Sequence, residues 1–342
     1  MERNKLRFAV LGAGFWSHFQ LAGWLEVGGC ECVAVCDRVP EKAEALAGKF
    51  GVARTYSDAE ELLDKERIDF LDVVTSPDTH PKFVLMAAER GIPVVCQKPM
   101  APALEQAERM VEACRKASVP FYVNENWRWQ RPMRELKRVL DSGVIGTPFR
   151  ARIDMISGFP VFRNQPFLAE LEQFIITDLG SHTLDVARFF FGEADTVYCR
   201  TQRVHPNIRG EDVATIVLGM KNSMTVLVEM AYAENYLEHD KFPETRVFIE
   251  ADKGSVRLEL DFWIRVTTED GTHSRRYPPP TYRWADPEYA ILHSSIVDCQ
   301  RNLLEALRGE GEAETTGEDN LKTMRLVFGS YESAAQGQAL AV

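Results

Sequence analysis

The first 40 residues carry the pattern that most narrows the choice of fold. An apolar run, Leu6–Leu11, leads into Gly12-Ala13-Gly14, a helical stretch from about His18 to Glu26, and a second apolar run that ends at Asp37. Glycines at such a turn allow a sharp bend and a close approach of a pyrophosphate to the backbone, and the helix start offers unpaired N–H groups to the phosphates. The pattern predicts a βαβ unit that binds a dinucleotide.

Asp37 indicates which dinucleotide is bound. It follows the glycine turn by roughly 20 residues, where a carboxylate accepts hydrogen bonds from the ribose hydroxyls and repels a 2′-phosphate. NAD is therefore expected rather than NADP, although the neighbouring Arg38 could stack on the adenine or contact a phosphate. Ser17 replaces the third glycine of the pattern and is small enough for close helix packing. The alternative is a glycine turn in an α/β domain that binds no nucleotide.

The alternation of strand and helix continues as far as Asn124. This spacing predicts a parallel, doubly wound sheet, in which ligands bind at the carboxyl ends of the strands. Several residues with chemically useful side chains directly follow predicted strands, and we expect them to face one crevice. They are Trp16, Asp37, Ser76, Lys98 and Asn126.

The pattern changes after Trp127. Short strand candidates separated by tight turns predict a largely antiparallel sheet, interrupted by a helix from about Asp178 to Phe191 and followed by two closing helices. We therefore expect an N-terminal domain over residues 1–125 and a C-terminal α/β domain over 126–342. The candidates Val213–Met220 and Met224–Met230 are apolar on both faces. This favours a second subunit on one face of the sheet; a second layer of the same chain is the alternative.

Composition excludes several classes of function. The chain has 342 residues, seven cysteines and a net charge of −11 with scattered basic residues, which argues against nucleic acid or an anionic membrane as a partner. No apolar run approaches the ~20 residues of a membrane span. The N-terminus leads straight into a strand, so no signal peptide is expected. The cysteines lack metal-type spacing, which predicts reduced thiols and a cytoplasmic protein.

Lys98 occupies an unusual position for a charged residue. It follows the apolar run Ile92–Val95 in the sequence Cys96-Gln97-Lys98-Pro99. The proline keeps Lys98 out of the helical region and fixes the direction of the chain. We expect its amine to be held at the end of a buried strand for a chemical purpose; an ordinary surface lysine is the alternative.

A second group of ionisable residues lies on one predicted helix. Asp178, His182 and Asp185 are spaced i, i+4 and i+7 and so share one stripe. Histidine is the usual general base near neutral pH, and a neighbouring aspartate can orient its ring. A capped, exposed polar face is the alternative. No third and fourth ligand converge on this stripe, so no metal site is predicted.

These motifs occur in an order that resembles the glucose–fructose oxidoreductase/inositol dehydrogenase (Gfo/Idh/MocA) family. The resemblance covers nearly the whole chain. The motifs that carry it are Gly12-x-Gly14, Asp37, Pro77-x-x-His80, Lys98-Pro99, Asn126-Trp127-Arg128 and Asp178-x-x-x-His182-x-x-Asp185. It implies a Rossmann domain, a C-terminal α/β domain whose large open sheet forms homodimers or homotetramers, a nicotinamide cofactor, and a sugar, sugar acid or cyclic polyol as substrate.

The resemblance also implies roles for individual residues. Lys98 contacts the cofactor and the substrate hydroxyl, His182 is the acid/base, Asp178 is its partner, and Asp185 binds a substrate hydroxyl. Gln97 stands where the family usually has glutamate. We expect the cofactor to contact Gly12, Gly14, Phe15, Trp16, Asp37, Arg38, Ser76, Pro77, His80, Gln97, Lys98, Asn126 and Arg128. We expect the substrate to contact Lys98, Trp127, Arg163, Asp178, His182 and Asp185. His80 is expected mainly to fix its loop.

Three functions are compatible with the sequence. The first is an NAD-dependent oxidoreductase that transfers hydride between nicotinamide and a hydroxyl carbon of the substrate. The second retains tightly bound NAD and recycles it, as in glycoside cleavage or sugar–sugar oxidoreduction. The third is a non-catalytic regulator that binds NAD and a sugar, which the presence of Lys98, Asp178 and His182 disfavours.

Overall fold

The computed structural model describes residues 5–342, which form two compact units. The first unit contains the chain up to Asn126 together with Tyr282–Asp286 and His293–Met324. The second contains Trp127–Thr281, Pro287–Leu292 and Arg325–Val342. C-terminal residues therefore contribute to both units.

The first unit is built on a parallel sheet of six strands in the order β3-β2-β1-β4-β5-β6. The strand order reverses between β1 and β4, and ligands bind at such a switch point in doubly wound folds. The strands are β1 Leu6–Leu11, β2 Cys30–Cys36, β3 Arg54–Tyr56, β4 Phe70–Val73, β5 Val94–Gln97 and β6 Phe121–Asn124.

Helices connect these strands. They are α1 Ser17–Val27, α2 Pro40–Phe50, α3 Ala59–Lys65, α4 His80–Glu89 and α5 Leu104–Ala117. Between the sheet and α1, Phe8 stacks on Phe70 at a ring-centroid distance of 4.9 Å, and the fully buried Trp24 packs against both rings. This apolar core holds the C-terminal half of α1 against the amino-terminal halves of β1 and β4.

The second unit is built on a nine-stranded sheet in the order β14-β13-β12-β11-β7-β10-β9-β8-β15. Neighbouring strands are antiparallel except β7 and β10, which run parallel. The strands are β7 Pro148–Ser157, β8 Ala194–Gln202, β9 Val213–Met220, β10 Thr225–Tyr232, β11 Arg246–Ala251, β12 Gly254–Glu259, β13 Trp263–Thr268, β14 Gly271–Arg276 and β15 Leu340–Ala341.

The remaining helices are α6 Arg131–Asp141, the short α7 Val161–Asn164, α8 Ser181–Phe191, α9 Ala290–Leu307 and α10 Gly317–Gln336. A π-helical turn, Ile176–Gly180, leads directly into α8. Helix α8 lies almost wholly buried against β7 and β10, so the residues at its start are held by the core of the second unit. No helix within residues 5–342 is long and apolar enough to cross a membrane.

The two faces of the nine-stranded sheet differ. Strand β9 alternates between buried residues such as Ile216 and half-buried ones such as Val217. On the half-buried face, one row of paired positions crosses six strands, in which apolar side chains mix with arginines. The row is Tyr198, Val217, Leu227, Arg152, Phe248 and Arg257. This face is therefore less uniformly apolar than the sequence suggests.

The mixed α/β fold predicted from the sequence, a parallel sheet followed by a mainly antiparallel one, is confirmed. Two edge strands have no sequence signal. Strand β14 is exposed at all of its residues, so its sequence shows no apolar alternation, and only backbone pairing with β13 makes it a strand. Strand β3 has three residues, none of them fully buried.

Candidate active site

The glycine turn has the geometry expected of a phosphate-binding loop. Gly12 has a φ of 98°, and a Cβ there would lie 2.4 Å from the carbonyl oxygen of Val74, so only glycine fits. A Cβ on Gly14 would meet no described atom within 4 Å. No side chain in the described part of the chain caps the start of α1, whose first N–H groups can therefore face an anion. The turn thus fits a pyrophosphate.

Asp37 ties the end of β2 to this turn. Its Oδ2 accepts a hydrogen bond from the backbone N–H of Ala13 at 2.8 Å, and its Oδ1 accepts one from Val39 at 2.9 Å. Each carboxylate oxygen retains capacity for a further donor. The neighbouring Arg38 is exposed. The carboxylate thus lies beside the glycine turn, where the ribose of a dinucleotide is expected.

The loop after β4 is fixed by a buried histidine. The ring of His80 is fully buried, with Nε2 3.0 Å from the carbonyl oxygen of Thr75 and Nδ1 3.1 Å from that of Pro99. Burial lowers the pKa of His80, while its hydrogen bonds to the backbone carbonyl oxygens oppose this shift. His80 therefore links the segment containing Ser76 and Pro77 to the residue after Lys98. This geometry favours the loop-fixing role, because a cofactor would meet the loop and not the ring.

Lys98 follows β5 directly and is half-buried. Its backbone N–H donates to Oε1 of Gln97 at 2.9 Å. The Gln97 side chain belongs to a buried polar group that also includes Gln20, on α1. The direction of the chain at Lys98 is therefore set by side chains beneath the carboxyl edge of the sheet.

Other expected cofactor residues differ in exposure. Phe15 is 62% exposed and packs edge-on against Phe19 at 5.3 Å. Trp16 is half-buried, and its ring centroid lies 5.9 Å from that of His293, which in turn stacks on Phe19 at 3.9 Å. Asn126 is buried and donates to the hydroxyl of Ser295 at 2.8 Å. Phe15 and Trp16 thus present aromatic surface beside the glycine turn.

His182, in the second unit, is held face to face with an indole. Its ring centroid lies 4.2 Å from that of Trp127, with the planes 26° apart. Trp127 is fixed in turn, because its Nε1 donates to the hydroxyl of Thr245 at 3.0 Å. The imidazole is 4% exposed. The stack on Trp127 therefore fixes the plane of the imidazole.

Asp178 lies in the π-helical turn that precedes α8 and is half-buried. Its backbone N–H donates to the carbonyl oxygen of Phe174 at 2.8 Å. Its backbone carbonyl accepts from the hydroxyl of Ser181 at 3.0 Å. Its charge is one cause of a raised pKa of Tyr232, after the burial of that phenol. A π-turn changes the rotation per residue, so the spacing from Asp178 to His182 is not that of a regular α-helix.

Glu211 anchors the start of this helical segment. Its carboxylate accepts from the backbone N–H groups of Phe174 and Ile176 at 3.3 and 3.2 Å. It also accepts the phenol of Tyr331 at 2.7 Å, and the Tyr331 oxygen accepts from the backbone N–H of Thr177 at 3.1 Å. A carboxylate at a helix start is also favoured by the helix dipole. Glu211 and Tyr331 together fix the start of the helical segment that carries Asp178 and His182.

Arg128 and Asp185 form a buried ion pair. The guanidinium donates to both carboxylate oxygens of Asp185, from Nε at 2.7 Å and from Nη2 at 2.6 Å, and Asp185 is 0% exposed. The role that the family resemblance implies for Asp185 stays a prediction, because each of its oxygens can accept a further hydrogen bond. The predicted contact of Arg128 with the cofactor likewise stays a prediction, because the pair with Asp185 uses two of its five N–H donors. The pair joins the segment after Trp127 to α8.

Arg163, which is predicted to contact the substrate, lies on α7 and is exposed. Within residues 5–342, no group of histidine, cysteine, aspartate and glutamate side chains could hold a metal ion, and the seven cysteines there form no disulfide.

Sequence reasoning missed several residues that shape the site. They are Gln20, Asp72, Glu211, Thr245 and Tyr331. Each acts through a contact far away in the chain, and no local motif marks them. The one available signal was Asp72 itself, a charged residue inside the apolar run Phe70–Val74.

Comparison with known proteins decides the family. The Gfo/Idh/MocA oxidoreductase family model, described as an NAD-binding Rossmann fold, matches residues 6–125, and the C-terminal domain model of the same family matches residues 133–257. The chain belongs to the Gfo/Idh/MocA family. The predicted resemblance, the NAD cofactor and an NAD-dependent dehydrogenase acting on a sugar-type hydroxyl are confirmed.

Three relatives match this family member along almost its full length. The D-apiose dehydrogenase of Rhizobium rhizogenes is 42% identical over 340 residues, covering 99% of this chain and 98% of that protein. The D-apiose dehydrogenase of Paraburkholderia graminis is 40% identical over 337 residues, covering 98% and 90%. An oxidoreductase from Agrobacterium radiobacter, solved in complex with NAD+, L-tartaric acid and magnesium, is 42% identical with a TM-score of 0.96 and covers 98% of each chain.

Proposed function

We propose that this protein is an NAD-dependent dehydrogenase that oxidises a hydroxyl of D-apiose. The observation that supports this substrate is the end-to-end similarity, at 42% and 40% identity, to two enzymes named for that activity. The buried His182, oriented on the face of Trp127, supplies the general base that such an oxidation requires.

His182 is proposed to take the proton of the substrate hydroxyl. The stack on Trp127 fixes the plane of the ring, so the proton transfer needs little rearrangement. Asp178, in the turn before α8, is proposed to stabilise the imidazolium electrostatically and to help position the ring. Bound NAD would supply the nicotinamide that accepts the hydride from the carbon bearing this hydroxyl.

Lys98 is proposed to stabilise the negative charge that develops on the substrate oxygen. A fixed ammonium stabilises an alkoxide most effectively where water is scarce, and Lys98 is half-buried at the end of β5. Its backbone is held by Gln97, so the cation is positioned before the reaction begins. A preorganised charge of this kind acts without reorganisation in the transition state.

The first unit contains the residues proposed to hold NAD. The turn at Gly12 and Gly14 fits the pyrophosphate, and Asp37 is proposed to accept from the adenosine ribose. Phe15 and Trp16 provide aromatic surface beside the turn. We propose the domain limits 1–125 for NAD binding and 126–342 for substrate binding and oligomerisation.

We further propose a homodimer or homotetramer that associates through the half-buried face of the nine-stranded sheet, in a reducing cytoplasm. The apolar members of the row that crosses this face, Tyr198, Val217, Leu227 and Phe248, support the first point. The seven cysteines without a disulfide, all within residues 5–342, support the second.

The test is a substrate panel with either NAD or NADP, read by absorbance of the reduced cofactor. The panel contains D-apiose, D-xylose, myo-inositol and L-tartrate. We expect D-apiose with NAD to give the highest kcat/KM, with NADH accumulating in proportion to substrate consumed. A higher kcat/KM with another compound would reject the assigned substrate, and strict NADP dependence would reject the role of Asp37. Light scattering of the purified protein checks the oligomeric state, and a monomer would reject the assigned interface.

A further inference from the structure

A chain of buried polar side chains runs beneath Lys98. Asp72 on β4, Gln20 on α1 and Gln97 at the end of β5 are connected by hydrogen bonds and are each at most 8% exposed. Asn124, at the end of β6, joins the chain at Gln20. Four elements of the parallel sheet domain therefore meet at one set of amide and carboxylate groups.

Asp72 determines the donor-to-acceptor direction of these buried hydrogen bonds. The indole Nε1 of Trp24 donates to one carboxylate oxygen at 2.7 Å, and Nε2 of Gln20 donates to the other at 3.2 Å. An ionised carboxylate only accepts hydrogen bonds. While Asp72 is ionised, Gln20 therefore turns its NH2 group toward Asp72 and its carbonyl oxygen away from it.

The hydrogen bonds between Gln20 and Lys98 run in the same donor-to-acceptor direction. The other side of the Gln20 amide, its Oε1, accepts from Nε2 of Gln97 at 3.5 Å and from the amide of Asn124. The oxygen of the Gln97 amide accepts the backbone N–H of Lys98 at 2.9 Å. Residue 97 must consequently donate at one end and accept at the other, which an amide does and a carboxylate does not.

A glutamate in place of Gln97 would conflict with Asp72. One oxygen of the new carboxylate would face Oε1 of Gln20, which places two acceptors together without a proton. Turning the Gln20 amide over would satisfy position 97 but would then place Oε1 against the carboxylate of Asp72. A buried contact between two acceptors is destabilising, and more so where charge is involved.

We propose that Asp72 and Gln97 are a matched pair of positioning residues, in which the buried carboxylate at 72 requires an amide at 97 and the chain between them fixes Lys98. The proposal rests on the proposed role of Lys98 in the reaction. It also gives a physical reason for glutamine in the Gln97-Lys98-Pro99 sequence, which is otherwise a departure from the family pattern.

Burial raises the pKa of Asp72 to about 7, despite the hydrogen bonds from Trp24 and Gln20 that lower it. The other titratable groups coupled to Asp72 are the thiols of Cys30 and Cys32 on β2 and of Cys96 on β5. Burial raises the pKa of each thiol, so they stay neutral near pH 7. A protonated Asp72 can donate to Gln20, so low pH relieves the conflict that a glutamate at position 97 would create.

Reciprocal substitution tests the pairing. Gln97→Glu leaves two acceptors in contact. Asp72→Asn leaves two donors in contact, because the introduced amide must use its oxygen to accept from Trp24 and so turns its NH2 group toward Gln20. The double variant restores complementarity in the opposite direction: the amide at 72 donates to Gln20, Gln20 donates to the carboxylate at 97, and that carboxylate accepts from Lys98. The amide of Asn124 can turn over to follow.

The four proteins are compared by kcat, KM, NAD affinity and urea unfolding at pH 6 and pH 9, with the exposed Glu89→Gln as a charge-matched control for Asp72→Asn. We expect each single variant to lose about tenfold or more in kcat at pH 9, with a smaller loss at pH 6 for Gln97→Glu. KM and NAD affinity should change less than kcat. The double variant should recover most of the loss.

Losses that simply multiply in the double variant, in both kcat and unfolding, would overturn the pairing. The unfolding data also separate this proposal from the assignment of Lys98. If Lys98→Ala retains full turnover while the cycle still shows recovery in unfolding free energy, the pairing holds and the role of Lys98 is rejected. If unfolding shows no recovery, the pairing is rejected whatever Lys98 does.

Discussion

Lys98 and His182, the two residues assigned to the reaction, are positioned by different physical means. Lys98 follows a strand, and its main chain is fixed by neutral amides that end at one buried carboxylate. His182 is on a helix, and its ring is fixed by the face of Trp127 while Glu211 secures the helix start. The residue at the strand end is positioned by the side chains beneath it, whereas the helical residue is positioned by contacts at the start and on the face of its helix.

This difference has a practical meaning for substitution. Changes beneath Lys98 alter hydrogen-bond matching, so a second change can restore the match. Changes around His182 remove a packing face or an anchor, for which the described residues offer no obvious replacement. Four predictions test the contrast, in order of decreasing effect.

Removing either reacting side chain should have the largest effect. His182→Ala and Lys98→Ala should each lower kcat by about 10²–10⁴-fold, the range of general acid–base and electrostatic contributions. NAD affinity, measured by fluorescence titration, should remain within a few-fold of the parent protein. Near-parent turnover in both variants would reject the mechanism.

Breaking the buried ion pair should affect folding more than chemistry. Arg128→Met leaves the carboxylate of Asp185 buried without its bidentate partner, which costs about 3–5 kcal/mol of unfolding free energy. Urea denaturation measures the loss. Lys65→Met is the matched control, because its ion pair with Glu61 is exposed and should contribute less than about 1 kcal/mol. Equal losses in the two variants would contradict the structural role assigned to Arg128.

Releasing the helix anchor should have an intermediate effect on turnover. Tyr331→Phe removes one donor to Glu211 and the acceptor for the backbone of Thr177, so kcat should fall about threefold to tenfold. Because the anchor acts on the segment that carries Asp178 and His182, the pH profile of kcat should shift while NAD affinity stays constant. An unchanged profile together with lower stability would mean that the anchor serves folding alone.

The titration of Asp72 should be seen in the pH dependence of stability. Its pKa is raised from 3.8 to about 7 in the folded protein, so the folded state holds a proton that the unfolded state has released between these values. Its contribution to stability is fully present below about pH 4 and is lost as pH rises through about 7. Asp72→Asn should flatten the fall in unfolding free energy across this window. An identical slope in both proteins would show that Asp72 does not titrate there.

Much of the fold and part of the site follow from local sequence. The glycine turn, the strand end before Lys98 and the helix that carries His182 are all visible as short patterns, because local periodicity determines them. The partners of these residues are not visible. Arg128 and Asp185 are 57 positions apart, Gln20 and Gln97 are 77 apart, and Glu211 and Tyr331 are 120 apart.

Such distant pairings also change the meaning of local patterns. Asp185 belongs to a stripe that spacing alone interprets as a site for ligands, yet Arg128 donates to both of its oxygens. Spacing shows which side chains share a face but not which of them are already paired. The pairing of Asp185 with Arg128 is one contact that the spacing could not reveal.

The π-helical turn Ile176–Gly180 has a mechanical consequence. It places one turn of wider winding between an anchored end, held by Glu211, and the buried body of α8. Deleting one residue there would restore regular winding and rotate one end against the other by ~100°, the angle per residue of an α-helix. The surplus residue in this turn therefore sets the rotation of the buried body of α8 relative to its anchored start.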